Sequence, residues 1–123
     1  MTRIYIAGAY SDDNVISVLK NIGRGQHWAA MLFKKGFAPF CPWHDKEFVI
    51  HFYDSEFTVQ EFYDYSIAWL EVSDAVFIVP NATGLKRWQD SAGTLKEIEI
   101  AEKLNIPIFY SLPELIQWNT KHL

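Results

Sequence analysis

Residues 74–80 read Asp-Ala-Val-Phe-Ile-Val-Pro, a run of β-formers with no polar alternation between an acid and a proline. Such a run has no face to give to water, so it specifies a strand covered on both sides and, with it, a parallel sheet between two helical layers. The rest of the chain supplies those layers in alternation. Residues 3–8, 37–41 and 107–110 have strand character, and residues 15–35, 56–73, 94–105 and 112–118 have helical periodicity. Strand and helix alternating four times give an α/β fold, a flavodoxin-like or Rossmann-like three-layer sandwich whose central parallel sheet has the order 2-1-3-4. At 123 residues this is a single domain spanning 1–123. Residues 46–55 fit a helix end or a loop equally well. Ligands of such sheets bind at the carboxyl ends of the strands where the winding reverses, so residues 10–14 are expected to face 81–97.

The first helix places Val15, Val18, Leu19, Ile22, Trp28, Ala29, Leu32 and Phe33 on one arc, is capped by Asp13 or Asn14, and stops at Gly36. Gly23 and Gly25 inside it predict a bent or loosely packed middle. The second, 56–73, is apolar nearly all round, with a polar stripe of only Gln60, Asp64 and Glu71, so one side covers the sheet and another is expected to meet a partner copy. With 50% hydrophobic and 16% aromatic residues, disorder is excluded and a homo-oligomer accounts for the surplus apolar surface. A formal charge of −4 offers no electrostatic footprint for nucleic acid or an anionic membrane, which leaves small molecules as partners. No signal peptide or membrane-spanning run is apparent, and Cys41 stands alone, so the expected setting is the cytoplasm, without disulfides.

The main anomaly is Glu97. In the helix 94–105, Leu95, Ile98, Ile100, Ala101 and Leu104 form an apolar arc opposite Lys96, Glu99 and Lys103, and Glu97 falls inside the arc. A carboxylate on the face that packs against a sheet must be paired, protonated or used. Thr94 to Glu97 also fits a capping box, the commoner role for that spacing, in which the glutamate only folds back on the helix start. Gly93 and the exposed first-turn amides favour a ligand there, as does a long preceding loop carrying Lys86, Arg87, Trp88, Asp90 and Ser91. The remaining chemistry-bearing residues are weak signals. Gly8 ends the first strand without a phosphate-loop or dinucleotide pattern. His27, His44, His51 and His122 lack metal-ligand spacing, no metal or cofactor is expected, and Cys41 near His44 reads as a small hydrophobe before a nucleophile. His44, at the carboxyl end of the second strand, is kept as a ligand contact.

Three stretches resemble the nucleoside 2-deoxyribosyltransferase-like superfamily. These are Ile4-Tyr-Ile-Ala-Gly-Ala-Tyr10, Ser73-Asp-Ala-Val-Phe-Ile-Val79, and Trp88-x-x-Ser91-x-Gly93-x-x-x-Glu97-x-x-x-Ala101, in the family's order and across most of the chain. The Trp-x-x-Ser-x-Gly form is similar to a small, nucleotide N-glycosidase-like branch. The resemblance implies that Glu97 attacks C1′ of the sugar, that Tyr5 orients it, and that Asp74 contacts the departing base as a candidate general acid. It also implies that Tyr10, with Gly8, Trp88 and Gly93, lines the pocket. The residue six before the nucleophile, Ser91 here, would accommodate a 5′-phosphate where transferases have an aspartate for the 5′-hydroxyl. Asp12 and Asp13 depart from the first loop of the glycosidases and weigh against phosphate. The reading is cleavage of an N-glycosidic bond in a nucleotide or nucleoside, by hydrolysis or transfer. Its rivals are a non-catalytic nucleotide binder or sensor, and an oligomeric scaffold.

Overall fold

A computed structural model of the chain describes residues 1–52 and 56–121. The expected alternation is present: β1 (Arg3–Ala7), α1 (Val15–Lys34), β2 (Ala38–Phe40), a short turn and helix α2 (Lys46–His51), α3 (Val59–Leu70), β3 (Ala75–Ile78), α4 (Ala92–Lys103), β4 (Ile108–Phe109) and α5 (Leu112–Lys121). The four strands are parallel in the order β2-β1-β3-β4, with Tyr5 paired to both Phe40 and Val76 and Val76 to Ile108. Residues 75–79 are all buried, as a two-sided strand requires. Alternation sends Ile4, Ile6, Phe77 and Val79 to one face, where Ile22 and Leu32 of α1 and Leu115 of α5 cover them. Tyr5, Ala7, Val76 and Ile78 go to the other, under Leu70 of α3 and Ala101 of α4.

Local chemistry sets the helix ends. Asn14 caps α1 by accepting from Ile16 N at 2.8 Å, and Gly36, at φ +93°, takes the left-handed turn that releases the chain into β2. Thr58 and Glu61 form the capping box that opens α3, with Phe57 stacked on Phe62 as a staple at 5.8 Å. Asn105, at φ +58°, ends α4.

Several sequence expectations need correction. The helix expected over 56–73 is shorter, because its cap is Thr58. Residues 46–51 are helical, while 53–55 and His122 lie outside the described residues. Val15, Leu19 and Phe33 of the supposed inner arc of α1 are exposed, as are Leu95 of α4 and Leu104 at its end, since each helix touches the sheet along a narrower stripe than its apolar content suggests. Gly25 is no loose point: a Cβ there would lie 2.2 Å from the ring of buried Trp43, so glycine is what lets the indole lie against α1. Among the described residues no helix is long and apolar enough to cross a membrane.

Candidate active site

Tyr5 lies in the middle of β1, fully buried and turned toward α3 and α4. Helix α4 begins at Ala92, earlier than the periodicity suggested, because Ser91 is its cap. Ser91 Oγ accepts from Thr94 N at 3.2 Å and from Thr94 Oγ1 at 2.9 Å, both within the buried head of the helix. With the cap supplied there, Glu97 has no part in a capping box. It stands four residues before Ala101 on the stripe that faces the sheet, and Tyr5 Oη donates a hydrogen bond to Glu97 Oε2.

Burial dominates the electrostatics. The Glu97 carboxyl is pushed up from its ordinary 4.5 to about 7 by desolvation, against which the Tyr5 hydrogen bond works. The residue as a whole keeps some surface, while its carboxyl is largely stripped of water. Burial first, then the Glu97 charge, drives the Tyr5 phenol upward, so it stays a donor throughout the physiological range. A hydrogen bond with Ser66 pulls the phenol the other way. Ser66 escaped the sequence reading. It lies four residues before Leu70, the buried residue of α3, and so is a polar group on that helix's inner stripe, a stripe that the helix's all-round apolar pattern does not mark.

The other expected residues divide. Trp88 shares the Glu97 face, half-buried, with its ring 5.3 Å from that of Tyr110. Gly93 borders open space, where a Cβ would meet nothing within 4 Å. Tyr10 turns to the opposite face and stacks on Trp43 at 5.8 Å, while Gly8 packs tightly beneath Val79 and the same indole. His44 is exposed in the turn after β2. Asp74 is not brought to Glu97: its Oδ2 accepts from Arg3 N at 2.7 Å, at the amino ends of β1 and β3, whereas the ligand-facing loops leave the carboxyl ends. Its role there is to tie the strand start. Cys41 is buried with its thiol pushed up to about 11 by desolvation, which makes it a poor nucleophile. Among the described residues no three His, Cys, Asp or Glu side chains gather where they could hold a metal.

On the α1 side of the strand ends lies a small hollow, half open to solvent and lined by Asn21, Arg24, Trp43, Pro80, Asn81 and Lys86 among others. Arg24 Nη2 donates to Pro80 O at 2.6 Å across it. The hollow and Glu97 thus occupy opposite faces of one sheet.

A parallel 2-1-3-4 sheet between helical layers, with a helix carboxylate bonded to a strand tyrosine, defines the class: a three-layer α/β domain with a desolvated acid at the sheet. Among solved structures the chain is similar to a 2-deoxyribosyltransferase from Bacillus psychrosaccharolyticus, described as a biocatalyst for nucleoside synthesis. The match has a TM-score of 0.56 and 16% identity over 87% of this chain and 69% of that one. The fold is therefore nucleoside 2-deoxyribosyltransferase-like. No protein-family model and no curated protein matches the chain.

Proposed function

We propose that the chain breaks the N-glycosidic bond of a nucleotide or nucleoside through an ester between Glu97 and C1′ of the sugar. The observation that carries this reading is the Glu97 carboxyl itself, desolvated and held by Tyr5 on a residue that keeps some surface. Tyr5 donates to Oε2, which fixes the carboxylate and supports its ionised form, and leaves Oε1 for attack. As the Oε1–C1′ bond forms, the C1′–N bond breaks. Its electron pair departs with the base, which takes up a proton from solvent, since Asp74 lies at the other end of the sheet. Water or a second base then attacks C1′, loses a proton and releases the Glu97 carboxylate. A carboxylate freed of hydration is the stronger nucleophile. Trp88 offers a ring for the base, and Gly93 the space for the sugar to approach α4. Ser91, spent as an acceptor on Thr94, keeps its own hydroxyl hydrogen to donate to a 5′ substituent. We propose too that the chain is a homo-oligomer through α2 and α3, which leave Phe48, Ile50, Val59 and Tyr63 exposed.

Chromatography of free base released from a panel of nucleotides and nucleosides tests the activity. The wild type is expected to release base from at least one, and Glu97→Gln to lose orders of magnitude in rate. A Glu97→Gln protein that still turns over sinks the covalent route; a wild type that binds members of the panel without cleaving any makes the chain a binder.

A further inference from the structure

The hollow on the α1 side has no part in the chemistry at Glu97, yet it concentrates positive charge on a chain of net charge −4. Lys20, Arg24 and His27 follow one another at helical spacing along α1. The shallow space they line adjoins the hollow, with which it shares Arg24, Ala82 and Leu85, and Lys86 lines the hollow too. Among the described residues the ion pairs lie elsewhere, on Lys46, His51, Arg87, Lys96 and Lys103, so Lys20, Arg24 and Lys86 meet no carboxylate. Arg24 is half-buried and its fork is steered into the groove by the bond to Pro80 O. A solvated helix face needs none of this.

Gly23 borders the same space. It sits inside α1 at negative φ, and a Cβ there would touch nothing within 4 Å, so neither backbone geometry nor packing asks for glycine. Yet glycine within a helix costs about 1 kcal/mol relative to alanine. Gly23 is exposed on the wall of the shallow groove, so a larger side chain there would stand into it.

We propose that the groove between α1 and residues 80–86 is a second ligand site, separate from Glu97, for a small phosphate-bearing polyanion. Arg24 and Lys86 hold the anion at the inner end and Lys20 at the mouth. Several unpaired cations around one cavity call for a multivalent oxyanion, since a single carboxylate would leave most of them uncompensated. The planar guanidinium suits phosphate oxygens in particular.

Calorimetric titration of pyrophosphate into the full chain, free of divalent cations and at constant ionic strength, tests this. Saturable uptake of one pyrophosphate per chain is expected, with acetate giving none, and Lys86→Gln and Lys20→Gln each weakening it about fivefold. Gly23→Leu, which fills the groove, should abolish it. Arg24→Gln should weaken it most; if that variant does not fold, having lost its hold on Pro80, the two lysine variants still decide. No saturable uptake, or equal affinity in the wild type and both lysine variants, overturns the proposal. So does loss of uptake in Ser91→Asp, which would put the anion at the head of α4. None of these readouts depends on glycosidic activity.

Discussion

Replacing Glu97 by Gln should stabilise the protein at alkaline pH while disabling it, and the size of the gain follows from the site. A carboxyl whose folded pKa is raised binds its proton more tightly folded than unfolded. The stability it supports is therefore complete below 4.5, is lost as pH rises through about 7, and stays lost above. At roughly 1.4 kcal/mol per pH unit, the gap comes to about 3 kcal/mol. A glutamine keeps an oxygen to accept from Tyr5 and never ionises, so it avoids that loss. Burial also raises Asp45, and Lys103 lowers exposed Glu99, but both act equally in the two proteins and cancel in their difference. Urea unfolding of wild type and Glu97→Gln at pH 5 and pH 8 measures it. The difference in unfolding free energy should swing by about 2.5 kcal/mol toward the variant between the two pH values. A difference that stays flat, or a wild type more stable than Glu97→Gln at pH 8, would show that Glu97 is hydrated and that no desolvated nucleophile exists.

Other outcomes follow from neighbouring residues. Tyr5→Phe removes the bond that lowers the Glu97 pKa, so the acidic limb of the base-release profile should move to higher pH and the rate at pH 7 should fall; an unmoved limb would deny Tyr5 its positioning role. Ser91→Asp keeps a good N-cap, but sets a charge beside any 5′-phosphate at a cost on the order of 2–4 kcal/mol. Monophosphate cleavage should fall tenfold or more with nucleosides spared, and equal loss on both would remove Ser91 from substrate choice. Gly25→Ala should destabilise by about 1–3 kcal/mol because Trp43 must move, while Gly23→Ala, two residues away, should be neutral or gain up to about 1 kcal/mol; thermal melts of the pair read the contrast. Val59→Glu places an acid in the first turn of α3, where it suits the helix, and should split an oligomer seen by light scattering. A wild type that is monomeric at micromolar concentration contradicts that interface.

The architecture was legible because hydrophobic periodicity reports it directly. The two-sided run at 75–79 demanded a parallel sheet, and the polar and glycine breaks placed the helices around it. Glu97 was legible for the same reason, as a charge on an apolar stripe. What periodicity could not say is where a helix is capped. Thr94 and Ser91 are both plausible caps, and only the fold shows that Ser91 takes the role and so frees Glu97. Nor does a motif say which end of a strand its residue serves: Asp74 opens β3 at the amino side, where it meets Arg3. Tyr10 leaves β1 at the correct end but on the face opposite Glu97, a choice made by the Trp43 ring that receives it. Ser66 was hidden by an apolar helix whose inner stripe is recognised only once Leu70 is seen to be buried. Gly25 looked like a weakness of α1 because a contact with residue 43 leaves no local trace.

The ester on Glu97 is tested most directly by mass spectrometry of the intact protein, quenched during turnover of whichever substrate releases base. The prediction is a mass gain equal to the sugar moiety, mapped after trypsin cleavage at Lys96 to the peptide 97–103, and within it to Glu97 rather than Glu99 or Glu102. Glu97→Gln should show no adduct. Base release that proceeds with no adduct on peptide 97–103, at a rate unchanged in Glu97→Gln, would contradict it.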